Sequence, residues 1–318
     1  MIGALELGLL YAIVALGVYL TFRVLNFPDL TVDGSFTTGA AVAAITITSG
    51  GSPLLGTIGG FFAGVIAGVI TGLLHTKGKI NGLLAGILTM IALYSVNLRI
   101  MGKSNLPLLR EDTLLTPLRE TIGLRTWQSV VVFAVIALIL KLIIDWFLHT
   151  DLGLAIQSTG DNARMIRSFG VNTDNTTILV LALSNGLVAL SGALIAQYQG
   201  FADIGMGIGL ILVGLASVIL GQAVFGSRYI VLSTFAVICG AVLYRLVIYA
   251  ALKIGFDPND MKLISAILVV AALLLPQFGA LKWLNPRSTA PKKDPVSAGN
   301  PGTSGPTSAQ NAPHQEVR

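Results

Sequence analysis

The stretch "VLNFPDLTVDGSF", residues 24–36, separates two long apolar runs and decides how the helices on either side are arranged. Pro28 has no backbone N–H and disfavours helix at the residue before it, so the first helix is predicted to end at Phe27. A second helix is predicted to begin near Gly34. Caps for that helix are available from the side-chain oxygens of Thr31, Asp33 and Ser35.

The composition places this break in a membrane protein. Of the 318 residues, 54% are hydrophobic and only 11% charged, well below the roughly 25% charged residues of an ordinary soluble domain. The sequence therefore predicts an all-α, polytopic membrane helix bundle of eight to nine transmembrane elements, with a broken second helix. The predicted elements are 2–23, 33–48, 54–74, 80–101, 127–148, 177–197, 204–222, 229–252 and 261–280.

Basic residues in the short loops predict the orientation of the bundle. The segments 75–79 and 162–170, Arg228 and the region 282–293 fall on one side if the elements alternate. The positive-inside rule makes that side the cytoplasm and places the N-terminus outside and the C-terminus inside. The segment 103–125 carries basic residues on the opposite side, but acidic residues accompany them and a long loop orients a protein less strongly.

The predicted second helix is short for a span. From Gly34 to the turn residues at 49–53 it has about 15 residues, or ~22 Å at 1.5 Å per residue, against a hydrocarbon core of ~30 Å. Non-helical backbone inside a bilayer is tolerated where protein or a watery cavity surrounds it. We therefore interpret the break as entering the bilayer from the cytoplasmic side. Alternatively, Leu30 or Thr31 begins the helix, which nearly restores a full span and leaves Asp29 at the surface.

On this interpretation the break lines a translocation pathway or its gate. The residues assigned to it are Asn26, Phe27, Pro28, Asp29, Thr31, Asp33 and Ser35.

Two further features predict the organisation of the chain. A ladder of glycines four residues apart on one face of the third element indicates close helix packing, at Gly60, Gly64, Gly68 and Gly72. From residue 285 the sequence is rich in Pro, Ser, Gly and Asn and poor in apolar residues, which favours disorder. We expect a transmembrane domain over 1–284 and a disordered cytoplasmic tail over 285–318.

Several kinds of chemistry are disfavoured. His75 and His149 have no carboxylate at metal-binding spacing, so we expect no metal site. "MGKS" at residues 101–104 lacks the upstream glycine and strand of a phosphate loop, so the chain is not expected to bind ATP. We predict no catalytic residues and no cofactor, and the scattered basic residues predict no nucleic-acid partner.

Ionisable residues inside the predicted spans are functional candidates by default. Lys141 and Asp145 are four residues apart and are expected to pair on one helix face. Arg245 lies in the middle of a span, and Asp203 and Glu6 are its candidate partners, between which the sequence does not choose.

The segment 151–177 lies on the predicted cytoplasmic side and contains a short amphipathic helix. Asp161 is its predicted N-cap and Gly170 its predicted stop. Apolar residues at helical spacing form a stripe at Ala163, Met165, Ile166 and Phe169. The stripe fits either a protein groove or the membrane interface, with Arg164 and Arg167 toward lipid headgroups. The residues alone leave these alternatives open.

Four stretches in this order and spacing resemble the permease subunits of ATP-binding-cassette (ABC) importers of the branched-chain amino acid and ribose type. They are "GLLYAIVALGVYLTFRVLNFPDLTVDGSF" at 8–36, "GLAIQSTGDNARMIRSFGVNTDN" at 153–175, "VILGQAVFGSRYI" at 218–230 and "LLLPQFG" at 273–279. The break departs from that family's pattern in its proline and two aspartates. In these features the chain resembles a subgroup of the family in which some members are assigned to tryptophan or tyrosine uptake.

The resemblance implies a bacterial cytoplasmic membrane importer made of two permeases, expected to be a homodimer, and two ATPase subunits. An extracytoplasmic binding lipoprotein would deliver the solute, and ATP and Mg²⁺ would bind to the ATPases. The resemblance makes 161–169 a coupling helix that docks into the ATPase, with contacts from Asp161, Ala163, Arg164, Met165, Ile166, Phe169 and Gly170. The rival hypothesis is an ion-coupled secondary transporter or channel, in which a repeated half with a second broken helix is expected, whereas this sequence shows one clear break.

Overall fold

The computed structural model describes residues 1–109, 111–121, 123–124, 126–226, 229–255 and 261–274. The predicted tail, 285–318, lies outside the described residues, as do Arg228 and the end of the last predicted element. The described residues are almost entirely helical, which confirms an all-α membrane bundle.

The described helices are α1 (Ile2–Tyr19), α2 (Thr31–Thr48), α3 (Pro53–Thr76), α4 (Gly82–Met101), α5 (Thr116–Thr121), α6 (Trp127–Leu148), α7 (Asp151–Ser168), α8 (Thr173–Gln199), α9 (Leu210–Phe225), α10 (Ile230–Ile254) and α11 (Met261–Leu274). A π-helical turn, Leu20–Val24, extends α1. Each of the nine predicted elements overlaps one of these helices. The helices α5 and α7 lie in the long connections between them.

Six of the described helices are long and apolar enough to cross a membrane: α1 with its π-turn, α3, α4, α6, α8 and α10. The helix α9 is apolar but has only 16 residues. The helix α2 has 18 residues and five threonines, four of whose hydroxyls donate a hydrogen bond to a carbonyl in the preceding turn of the same helix. The multiple spans make the chain a multi-pass membrane protein.

The helix α8 forms the centre of the bundle, and 78% of its most apolar window is buried. The four glycines of the α3 ladder are buried and face α8 and α2. A Cβ atom at Gly68 would overlap the carbonyl of Leu181 on α8, and one at Gly64 would overlap Asn185 and Ala189. The absence of side chains therefore lets the α3 and α8 backbones approach directly.

Two short strands follow the C-terminal ends of α4 and α8 and pair with each other. The strands β1 (Asn105–Pro107) and β2 (Phe201–Asp203) pair antiparallel, with Leu106 opposite Ala202. Both of these residues are buried. The ribbon marks the end of the bundle opposite to α7, because α7 connects to the first residue of α8 and β2 follows its last.

The segment 204–209 turns back from β2 into the bundle before α9 begins. The prediction of helix from residue 204 was wrong, because glycines at 205, 207 and 209 favour turns and Gly209 adopts a positive φ of 84°. Gly207 packs directly on the carbonyl of Asp33 in the first turn of α2. The helix α9 therefore begins inside the bundle, and the chain contains a second interruption beside the first.

Candidate functional site

The break between α1 and α2 differs from its prediction at both ends. The regular helix ends at Tyr19 rather than Phe27, because the chain widens into a π-turn in which Leu25 N–H donates to the carbonyl of Leu20, at 3.0 Å. Single π-turns often mark functional sites in helices. The chain then reverses at Asn26, whose φ of 55° is tolerated by asparagine better than by most residues.

The helix α2 begins at Thr31 rather than near Gly34. Asp29 supplies the N-terminal acceptor, because its Oδ1 accepts a hydrogen bond of 2.9 Å from the backbone N–H of Thr31. The side chains of the predicted caps, Thr31, Asp33 and Ser35, instead form hydrogen bonds with residues of other helices. The helix length is then about 27 Å, so α2 comes close to a full span, which the alternative start at Leu30 or Thr31 anticipated. Asp29, however, is fully buried rather than at the surface.

A buried polar network fixes the break to the core. Asn185, in the middle of α8, donates through Nδ2 to Asp29 Oδ2 at 2.7 Å and accepts through Oδ1 from the Ser35 hydroxyl at 2.7 Å. The hydroxyls of Thr31 and Thr71 share a hydrogen bond of 2.8 Å. All five side chains are fully buried. The break is therefore attached to α3 and α8 by hydrogen bonds that are shielded from water.

Asp33 makes a different connection. Its two carboxylate oxygens accept hydrogen bonds of 2.8 Å from the backbone N–H groups of Gly209 and Ile211. These are donors at the N-terminus of α9, where the helix dipole also favours a negative charge. Asp33 is only partly buried and lines a cavity between α2, α4 and the segment 204–209. It therefore caps a helix other than its own, and it joins the two interruptions of the bundle.

The remaining residues predicted for the pathway occupy the end of the bundle nearest α7. Phe27 is buried, and its ring meets the ring of His75 edge-on at a centroid distance of 5.0 Å. Pro28 and Asn26 are exposed. Asn26 Nδ2 donates to the carbonyl of Gly160 in α7, at 3.1 Å. The break therefore contacts α7 directly.

The predicted coupling helix is the second half of the longer helix α7. The backbone is extended at Asn162, with φ −157° and ψ 89°, so a kink separates residues 151–161 from 163–168. Asn162, not Asp161, caps the second half, because its Oδ1 accepts from the N–H of Met165 at 3.1 Å. Asp161 precedes the kink and lines a polar cavity of about 340 Å³ together with Asn26 and Arg23.

The segment 161–170, called the coupling segment below, is exposed. Phe169 is 74% exposed and Met165 50%, while Ala163 and Ile166 are partly buried. Arg164 is exposed, and Gly170 ends the segment with a φ of 86°. Arg167 bonds to Asp174, at 3.2 Å, and to Thr173, which ties the segment to the start of α8. The coupling segment therefore presents an exposed surface whose apolar residues are Phe169 and Met165.

The three charged residues Lys141, Asp145 and Arg245 and the candidate partner Glu6 each contact another side chain. Lys141 and Asp145 form a buried ion pair with a nitrogen-to-oxygen distance of 2.5 Å, as predicted, and Asp145 also accepts a hydrogen bond from Thr234. The guanidinium of Arg245 lies 3.7 Å from the centroid of the Tyr11 ring. Glu6 accepts hydrogen bonds from Ser129 and Tyr198. Within the described ranges, no group of three acidic, histidine or cysteine side chains is arranged to hold a metal ion.

Sequence reasoning missed three participants. Asn185 interrupts an apolar run in α8 and was detectable as a polar residue in the middle of a span. Asn97 in α4 was detectable on the same ground, and its Nδ2 donates to the carbonyl of Gly34 at 3.3 Å. The third is the segment 204–209, whose alternating glycines were the available signal.

A multi-span helical bundle with two interruptions inside it is typical of membrane transport proteins. The family model "Branched-chain amino acid transport system / permease component" matches residues 1–273, and the chain belongs to this family. The resemblance drawn from the sequence is confirmed. The chain is the permease subunit of an ABC importer, and permeases of this kind work with ATPase and binding-protein partners.

Two of the relatives cover most of the chain. The tyrosine transport system permease protein of Clostridioides difficile is 43% identical over 272 residues, which is 86% of this chain and 90% of that protein. The uncharacterized protein RP368 of Rickettsia prowazekii is 38% identical over 277 residues, 86% of this chain and 96% of that protein. The autoinducer 2 import system permease LsrC of Salmonella typhimurium is 35% identical over only 85 residues, 26% of this chain and 24% of that protein.

A solved structure has a similar fold. It is an ABC transporter, described as of the metal-chelate type, in an inward-facing conformation. Its TM-score is 0.50 with 17% identity, over 88% of this chain and 84% of that chain. The likeness concerns the arrangement of helices alone.

Proposed function

We propose that the chain imports an amino acid or a related small solute that an extracytoplasmic binding lipoprotein delivers. ATP and Mg²⁺ bind to a separate ATPase subunit, which hydrolyses the ATP, and this chain binds no cofactor. The solute class is supported by the relative described as a tyrosine transport permease. The observation that carries the proposal is the contact between Asn26 and Gly160, because it connects an exposed docking surface to the break.

The coupling segment is the proposed docking surface for the ATPase. Phe169 and Met165 are exposed at an end of the bundle where Asp161, Arg164 and Gly170 are exposed too. Burying a phenylalanine side chain that water now surrounds stabilises a complex by about 1.5–3 kcal/mol. Asp161, Ala163, Arg164, Ile166 and Gly170 complete the proposed contact. A groove on the ATPase would cover this surface better than a lipid interface, because Phe169 and Met165 project from a kinked helix that is short.

The first half of α7 is the proposed transmitter. Gly160 packs directly on the carbonyl of Val24 at the end of the π-turn and accepts a hydrogen bond from Asn26. Thr159 and Thr176 share a hydrogen bond of 3.3 Å, which holds this half to α8. Closure of an ATPase pair would move α7 as a rigid body, and the π-turn and break would move with it. Asn26, Phe27, Pro28, Asp29, Thr31, Asp33 and Ser35 thus form the gate or line the pathway.

We place the chain in the bacterial cytoplasmic membrane, with its N-terminus outside and its C-terminus inside. Phe27 contacts His75 and Asn26 contacts Gly160, so the loop with Lys77 and Lys79 lies at the same end of the bundle as α7. Basic residues thus gather at one end, as the positive-inside rule requires of the cytoplasmic side. A second copy of the chain completes the importer as a homodimer, and membrane lipid covers the remaining exposed apolar faces.

The test is uptake of labelled L-tyrosine by proteoliposomes that contain the chain with its partner ATPase and binding protein. Phe169→Asp is expected to reduce both ATPase copurification and ATP-driven uptake at least about tenfold, since a carboxylate would have to be buried in an apolar groove. The matched control for ATPase copurification is Leu109→Asp, which should leave copurification unchanged, because Leu109 is 73% exposed and lies beside the β ribbon at the other end.

Unchanged uptake and copurification in Phe169→Asp would contradict the docking surface. Uptake by the chain alone, driven by an ion gradient and independent of ATP, would contradict the whole proposal.

A further inference from the structure

The cavity beside Asp33 has the size and lining of a small-molecule site. It measures about 360 Å³ and lies between α2, α4 and the segment 204–209. Its walls are mainly apolar, from Met90, Ile91, Ile204 and Ile208. Ligand sites commonly combine such walls with a small number of placed polar groups. The polar groups here decide which ligand fits.

The first polar group is Asn97. Its side chain is fully buried and lines the cavity. Its Nδ2 donates to Gly34, but its Oδ1 has no hydrogen-bond partner among the residues that the structure describes. A buried amide oxygen without a donor is unfavourable, and such groups are rare in native proteins. Asn97 Oδ1, at the wall of the cavity, is therefore an acceptor without a hydrogen-bond donor.

The second polar group is Asp33. Each of its oxygens accepts one hydrogen bond from α9, whereas a carboxylate offers about four acceptor positions. The ion pairs found within the described ranges join Lys141 to Asp145 and Arg167 to Asp174, so they leave Asp33 without a cation. An amide oxygen without a donor and a carboxylate with spare acceptor positions and no paired cation match a positively charged ligand group.

We infer that this cavity is a solute-binding site of the permease that takes an α-amino acid with a large apolar or aromatic side chain. The solute ammonium donates to Asp33 and to Asn97 Oδ1, and the side chain packs on Ile91, Ile204 and Ile208. The carboxylate stays at the open side of the cavity, near the hydroxyls of Tyr94 and Ser95, both exposed. This inference rests on the proposed import of an amino acid, for which it names the site and the recognised groups.

The site also lies where the two interruptions of the bundle meet. Asp33 belongs to the first turn of α2 and caps α9, while Ile204 and Ile208 belong to the segment that leads into α9. A bound ammonium would compete with the α9 N-terminus for the Asp33 carboxylate. Solute in the cavity is thereby coupled to the position of α9 relative to α2.

The test is protection of a cysteine from alkylation in the full chain, purified with its ATPase. Ser95→Cys is made in a Cys239→Ala background, which removes the one native cysteine. L-Tyrosine at about ten times its Kd should slow the alkylation about tenfold, because it occupies the site roughly 90% of the time. The compound 3-(4-hydroxyphenyl)propionate should not protect, since it has the same ring and carboxylate but no ammonium.

The matched control is Val96→Cys in the same background. Val96 is 47% exposed on another face of α4 and does not line the cavity, so L-tyrosine should leave its alkylation rate unchanged. Two added substitutions locate the site. Asn97→Leu should weaken the protection of Ser95→Cys about tenfold or more through the lost acceptor. Ile91→Trp should remove the protection by filling the cavity from an exposed wall.

Equal protection by the compound without an ammonium, or protection that survives both Asn97→Leu and Ile91→Trp, would overturn the site. The absence of protection by L-tyrosine, L-tryptophan and L-leucine would also overturn it. ATP-driven uptake by the unsubstituted importer is measured separately, so the site can fail while the proposed function stands.

Discussion

Asp29 and Asp33 lie four residues apart at the same break, yet their surroundings differ. Asp29 is fully buried, and its oxygens accept hydrogen bonds from Thr31 N–H and from Asn185. Asp33 is partly exposed to a cavity, and its oxygens accept from backbone groups of another helix. The first carboxylate is held by the helix α8 at the centre of the bundle. The second holds the beginning of α9.

The difference shows two ways to satisfy an interrupted helix inside a bundle. Interruptions leave backbone donors and acceptors that lipid does not hydrogen-bond. At the start of α2 a side chain from the same break supplies the acceptor, and a polar side chain from α8 fixes it. At the start of α9 the acceptor comes from a neighbouring interruption. The first arrangement favours a fixed anchor, whereas the second favours a joint that a ligand in the cavity can reach.

The largest effect is expected from removing the anchor. Asn185→Leu leaves the Asp29 carboxylate and the Ser35 hydroxyl without their buried partner, and should lower the free energy of unfolding by about 2–3 kcal/mol. Thermal unfolding of the purified protein in detergent measures this loss. Ser35→Ala is the matched control, because it removes only a neutral hydrogen bond and should cost about 1 kcal/mol or less.

A double substitution sharpens this prediction. Asp29→Ala combined with Asn185→Leu removes both buried partners, so its cost should be smaller than the sum of the two single costs. Strict additivity of the two substitutions would show that the Asp29–Asn185 hydrogen bond is not what stabilises the break.

A smaller effect is expected at the joint. Asp33→Ala removes the cap of α9 and should cost about 1–2 kcal/mol, the usual range for the loss of a helix N-cap. The loss should be local, so hydrogen exchange should accelerate at Ile211 and leave the amides of α8 unchanged. Asp33→Asn keeps one acceptor oxygen and should give an intermediate rate. Exchange that accelerates equally in α8 and α9 would show that Asp33 belongs to the anchor.

Much of the fold could be predicted because its signals are local. Low charge, long apolar runs and the proline at position 28 predict a helical membrane bundle with a break, and the exposed apolar stripe of the coupling segment follows from helical spacing. The start of α2 was misplaced because the acceptor for Thr31 comes from Asp29, two residues upstream. The N-cap of the coupling segment was misplaced by one residue because both Asp161 and Asn162 are good caps, and the kink decides between them.

The site could not be predicted in the same way because its partners are distant in sequence. Asn185 is hydrogen-bonded to Asp29 and Ser35 although more than 100 residues separate them in sequence, and the same is true of Asp33 and Gly209. A polar residue in an apolar run signals that a partner exists but does not identify it. The second interruption was missed because glycine-rich turns and glycine-rich packing helices look alike in a single apolar sequence.

The most direct test of the account asks whether the coupling segment moves the break. Thr31 is fully buried and bonded to Thr71, so Thr31→Cys in the Cys239→Ala chain should not react with an aqueous thiol reagent in the resting importer. Reaction should appear during ATP turnover with binding protein and solute present, and the added substitution Phe169→Asp should abolish it. A reaction rate that is the same with and without ATP turnover, including no reaction in either state, would contradict the central claim.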